Sequence, residues 1–130
     1  MITFLKELIK QAGDICLKEQ KLLKSSDVDF KNKKDLVTKT DKKVEDFLIK
    51  NISKKFPSHN IFGEETGRTQ FLSDYLWIID PIDGTTSFFH RQPFYSISIA
   101  LQYKDQTICG AVYAPHFNEL FFAGKDTGVY

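Results

Sequence analysis

The hydrophobic period changes once along this chain, and that change limits what each part can become. Up to Phe56 the apolar residues recur at helical spacing: Phe4, Leu5, Leu8, Ile9, Ala12, Cys16 and Leu23, then Val44, Phe47, Leu48, Ile52 and Phe56. Pro57-Ser58-His59-Asn60 ends that pattern, and beyond it apolar residues either run continuously or alternate. A 3.6-residue period buries one stripe of a helix, whereas a two-residue period buries one face of a strand. The chain therefore predicts two amphipathic helices followed by a sheet, an α/β (α+β) layered sandwich. Its 130 residues suit one domain.

The first helix is expected over residues 2–24, with Gly13 inside it at a cost of about 1 kcal/mol, a sign that another element approaches closely there. Residues 25–34 read as a polar loop, and the second helix is expected to start at Thr40 or Asp41, either of which can cap. A short strand over residues 60–62 should end in Gly63-Glu64-Glu65, with residues 66–74 a polar loop. Tyr75-Leu76-Trp77-Ile78-Ile79 reads as a buried strand ending on Asp80, and a short helix after Asp83-Gly84 runs through Phe89. Tyr95, Ile97, Ile99, Leu101 and Tyr103 alternate with smaller or polar residues, and residues 107–113 and 119–123 read as the next strands. Val129-Tyr130 reads as a returning strand with an uncovered edge, so the folded unit is expected to extend beyond this sequence.

Residues 1–60 carry 14 Lys against 9 acids, and residues 61–130 carry 4 basic against 8 acidic residues. The lysines read as the wet faces of the two helices, and a net charge of +1 makes no general case for nucleic acid. Cys16 and Cys109 lie far apart in apolar surroundings and read as small buried hydrophobes in a reducing compartment. Met1–Ile9 is interrupted by Lys6 and Glu7 and reads as helix, not as a secretory leader; no apolar run reaches the roughly 18–20 residues of a membrane span. A cytoplasmic location is expected.

Three acidic clusters carry the chemistry. In Trp77-Ile78-Ile79-Asp80-Pro81-Ile82-Asp83-Gly84-Thr85-Thr86 a strand delivers Asp80 to the end of the sheet, and Asp83 follows on a tight turn. Two carboxylates with the Ile82 carbonyl between them are the oxygen donors that a hard cation such as Mg²⁺ prefers. Gly84-Thr85-Thr86 opens a helix, where free backbone N–H groups can take a phosphate. The same residues would also make an ordinary turn after a core strand. Gly63-Glu64-Glu65, at the end of another strand, is alone no more than a solvated loop, and gains meaning beside Asp80 and Asp83. In Asp35-Leu36-Val37-Thr38-Lys39-Thr40-Asp41 the simpler role is a helix cap. A covalent aspartyl-phosphate mechanism of the haloacid dehalogenase type needs Asp two residues before Asp83, where Pro81 stands. His59 and His90 read as surface or packing residues, and His116 as a loop residue without a partner.

In order and spacing these three clusters resemble the inositol monophosphatase family, and Ser87-Phe88-Phe89-His90-Arg91-Gln92-Pro93-Phe94 is similar to the segment that follows in it. The resemblance runs through residues 1–130 and identifies them with the family's amino-terminal half; the later Trp-Asp-x-Ala-Ala-Gly-type motif is absent. It implies hydrolysis of a phosphate monoester, inositol 1-phosphate or a related polyol phosphate, requiring Mg²⁺, inhibited by Li⁺ and carried out by a homodimer when full length. By this resemblance Glu64, Asp80 and the Ile82 carbonyl bind an activating Mg²⁺, and Asp80 and Asp83 serve a second ion. Gly84 and Thr85 hold the phosphate, and Asp41 bonds Thr85 and helps activate water. Glu65 and the Asp35 loop lie near a third ion. The family also contains nucleotide and fructose bisphosphatases, and members that act in antitermination through RNA or polymerase.

Overall fold

The structure, a computed structural model, describes residues 1–23 and 30–130, with the backbone alone over residues 30–38. Two helices, α1 (Ile2–Leu22) and α2 (Phe30–Lys55), pack on one face of a mixed seven-stranded sheet. The strands are β1 (Asn60–Gly63), β2 (Gly67–Arg68), β3 (Tyr75–Asp83), β4 (Ser96–Tyr103), β5 (Gln106–Ala114), β6 (Glu119–Gly124) and β7 (Gly128–Val129), in the order β2-β1-β3-β4-β5-β6-β7. β1 and β3 are parallel, and every other pair is antiparallel. A short helix, α3 (Thr85–Phe89), follows β3, and a 3₁₀ turn (Pro115–Phe117) joins β5 to β6. No helix among the described residues is long and apolar enough to cross a membrane.

The core forms where the two periods meet. α1 contributes Leu5, Leu8, Ile9, Ala12 and Cys16, and α2 contributes Val44, Leu48 and Ile52. The sheet answers with Trp77, Ile79, Ile97, Ile99, Leu101, Ala111 and Tyr113, every second residue of β3, β4 and β5. Gly13 marks the close approach expected of it: a Cβ there would run into the ring of Tyr113 on β5. The other face of the sheet is a trough of about 540 Å³ lined by Ile78, Ala100, Val112 and Phe121, with Asp80 at its margin.

β3 runs on past its expected end at Asp80 to Asp83, which is thus in the strand and not on a turn after it. Two other elements differ from the sequence reading. α2 begins at Phe30, well before Thr40, so Asp41 lies inside the helix and does not cap it. The charged stretch before Thr40 contains neither Gly nor Pro, and charge alone does not break a helix. The rest of the expected 25–34 loop, residues 25–29, lies outside the described residues. The second difference is β2, within the expected loop over residues 66–74, where Gly67 at φ +74° turns the chain back on β1. Such two-residue strands carry too few residues for a period to show.

Trp77 is fully buried, and its indole N–H donates to Nδ1 of His59 at 3.0 Å. The imidazole stacks between Phe56 (4.7 Å between centroids) and Tyr75 (4.3 Å). The packing role expected of His59 is thus filled, with its proton on Nε2. Burial holds the His59 pKa below its ordinary 6.5. The unfolded chain therefore takes up this proton first, and the stability His59 contributes is complete above about pH 6.5 and lost on acidification. Urea midpoints at pH 7.5 and pH 5 should converge more closely in His59→Phe than in the natural chain. An identical pH slope in both would remove His59 as the cause.

Candidate active site

Parallel pairing of β1 with β3 builds the site. Asn60, Ile61 and Phe62 align with Leu76, Trp77 and Ile78, and continuing this register sets Glu64 level with Asp80 at the carboxyl ends of both strands. Open sheets bind ligands at such ends, where the connections diverge. A bulge between Asp80 and Asp83 interrupts the β3–β4 ladder. Bulges turn side chains out of the pleat. The Ile82 backbone N–H lies on the side of the Asp80 carboxylate and favours its charge, while the Ile82 side chain is buried. Asp83 is exposed, and Gly84 at φ +90° turns the chain into α3. Asp83 and Gly84 line a shallow pocket of about 290 Å³ with Phe94, Ser96 and Phe117.

α2 closes the site from the helical layer. Asp41 is buried, and its carboxyl is pushed up to about 7 by desolvation first, then by Glu64, Glu65, Asp80 and Glu45. Desolvation followed by Asp80 and Glu65 raises Glu64; desolvation followed by Asp83 raises Asp80. Like charges within reach disfavour one another's ionisation, and these shifts record that closeness. Asp41 Oδ1 and Asp80 Oδ1 are each buried without a hydrogen-bond partner. Buried carboxylate oxygens left unsatisfied are costly, and a hard cation satisfies such oxygens. The donor set, all oxygen, therefore fits a Mg²⁺-class ion.

The structure thus brings Asp41, Glu64, Asp80 and Asp83 into one acidic neighbourhood beside Gly84 and Thr85. It does not draw them into a finished cage: among the described residues no three acidic, imidazole or thiol groups are arranged to hold a metal. Asp41 and Thr85 do not hydrogen-bond, although α2 and α3 pack together. The side chain of Asp35 lies outside the described residues.

Sequence reading missed Glu45, whose carboxylate is fully buried one helical turn beyond Asp41. The signal was there: Asp41 and Glu45 extend the apolar stripe of Leu48 and Ile52 at spacings of four, three and four, where a solvated acid has no place. It also missed Gln20, at the end of the α1 stripe. Its Nε2 donates to the carbonyls of Phe88 (3.0 Å) and Gln92 (3.1 Å), pinning the end of α3. Its Oε1 lies 2.7 Å from His116 Nε2, so His116 has the partner that the sequence did not reveal. Cys16 and Cys109 are buried free thiols as expected, Cys16 pushed up to about 12 by desolvation and then by Asp41 and Glu19.

The inositol monophosphatase family model matches residues 1–130. The chain belongs to the inositol monophosphatase family. It is 39% identical over 127 residues to an inositol monophosphatase of Dictyostelium discoideum, covering 95% of this chain and 46% of that protein. It is 42% identical over 132 residues to human inositol monophosphatase 1, again covering 95% of this chain and 46% of the relative. Among solved structures, the extragenic suppressor protein suhB of Bartonella henselae superposes with a TM-score of 0.86 at 28% identity, over 99% of this chain and 50% of that one. The chain spans about half the length of the curated relatives it matches. The helices-on-sheet layering read from the two hydrophobic periods is the layering of the inositol monophosphatase fold.

Proposed function

We propose that this protein works as a Mg²⁺-dependent phosphatase that hydrolyses a phosphate monoester, inositol 1-phosphate or a related polyol phosphate. The observation that carries this reading is the convergence of Asp41, Glu64 and Asp80 at the carboxyl ends of β1 and β3, with partnerless buried oxygens on Asp41 and Asp80. Glu64, Asp80, the Ile82 carbonyl and Asp83 would hold the cation. When bound, the ion neutralises phosphate charge and makes a nearby water more acidic. The amides of Gly84 and Thr85 take the phosphate oxygens, since the first-turn N–H groups of α3 have no partner within the helix. Asp41, buried beside Glu64 and Asp80, would take the proton of the attacking water, which Thr85 would help to orient.

Phosphate release should be measured from inositol 1-phosphate, fructose 1,6-bisphosphate and 3′-phosphoadenosine 5′-phosphate in parallel. The expected result is turnover of the inositol ester with Mg²⁺, lost on adding EDTA and reduced by Li⁺. Release of phosphate at equal rates with EDTA would reject the metal-dependent reading. A nucleic-acid-binding role draws support from the lysine-rich helices. Salt-sensitive RNA binding retained by an inactive Asp83→Asn variant would favour that role.

A further inference from the structure

Glu45 spends a fully buried carboxylate on one turn of backbone. Its Oε1 accepts the Glu65 N–H at 3.1 Å; its Oε2 accepts the Thr66 N–H at 3.1 Å and the Thr66 hydroxyl at 2.6 Å. The Glu65 N–H also lies 3.2 Å from Oε2. Among the described residues no lysine or arginine pairs with Glu45, so these donors compensate the buried group. Gly63 makes the approach possible, because a Cβ there would collide with the Glu45 carboxylate. The residue between Gly63 and these two amides is Glu64, whose side chain is exposed.

We propose that Glu45 is a positioning residue, fixing the Glu64–Thr66 turn so that the Glu64 carboxylate faces Asp80 and is held ready for a cation. This rests on the proposed function, in which Glu64 is a ligand. A carboxylate accepting two or three N–H or O–H donors is a strong, directional clamp. Loss of a residue that orients a ligand lowers metal affinity by about 10–100-fold. Glu45→Gln keeps the size but presents an NH₂ group to donors, and so releases the turn. Thr66→Val removes only the hydroxyl bond, at an exposed position, and leaves both backbone donors to Glu45 in place.

The test is Mn²⁺ binding by calorimetry, without substrate, to the natural chain and to Glu45→Gln, Thr66→Val and Asp80→Asn, with circular dichroism to follow folding. The expected result is a Kd raised about tenfold or more by Glu45→Gln, a smaller rise in Thr66→Val, and a helical content unchanged in both. A role in stability alone would lower melting temperature and leave Kd in place, and that result would overturn the proposal. If Glu45→Gln does not fold, an unchanged Kd in Thr66→Val overturns it and a raised one supports it. Mn²⁺ binding lost in Asp80→Asn but equal in Glu45→Gln and the natural chain would refute the clamp and leave the phosphatase reading standing. No Mn²⁺ binding to the natural chain would overturn both.

Discussion

Asp80→Asn is expected to abolish phosphatase turnover, by more than about 100-fold, and at the same time to raise the melting temperature of the protein in EDTA. Residues that merely orient a metal ligand cost 10–100-fold when lost, and Asp80 is proposed to touch the ion itself. The gain in stability follows from the same geometry. Burial and Asp83 raise the Asp80 pKa, so folding disfavours its charged form. For a carboxyl raised in the fold, stability is complete at acid pH and is lost as pH climbs through the folded pKa. Asparagine keeps the size of the side chain and never charges. The difference in melting temperature should therefore be largest near pH 8 and vanish near pH 3. A variant less stable than the natural chain at pH 8, or one with full turnover, would refute this account of Asp80.

Gly84→Ala should cost about 2–4 kcal/mol of stability, far more than an alanine usually does. Two effects add. At φ +90° any Cβ is strained by roughly 1–2 kcal/mol. At Gly84 that Cβ would also sit 2.7 Å from the backbone oxygen of Phe94 and 3.3 Å from Tyr95 Cα, which cannot swing aside as a side-chain tip would. Gly67 separates the two effects, since it has φ +74° and nothing within 4 Å of its would-be Cβ. Gly67→Ala should show the strain alone. Urea denaturation of both variants decides the matter, and equal losses would mean that the contact with Phe94 carries no weight. Because Gly84 also opens the proposed phosphate cradle, Gly84→Ala should weaken binding of inorganic phosphate, whereas Gly67→Ala should not.

What could be read from the residues was local. The run from Tyr75 to Ile79 announced β3 because five apolar residues in succession have few other fates, and Asp80 had to emerge where that run stopped. Gly13 could be read as a contact point because glycine is an expensive choice inside a helix. What stayed hidden was set by distant partners. His116 meets Gln20 across 96 residues of sequence, and Glu45 meets Thr66 across 21. No periodicity encodes such pairings. The start of α2 was misplaced for another reason: a charged stretch without Gly or Pro is as compatible with helix as with loop, so composition could not choose. The acidic neighbourhood itself followed from spacing only because β1 and β3 run parallel, a matter of topology and not of motif.

The stack around Trp77 has one more consequence. This is the chain's sole tryptophan; it is fully buried, bonded to His59 and three residues before Asp80 on the same strand. All indole emission therefore comes from one dry position in the wall that delivers the acidic turn. Unfolding should shift that emission to the red, and protonation of the stacked imidazole should quench it. An unlabelled sample thus carries its own optical gauge, three residues along β3 from Asp80.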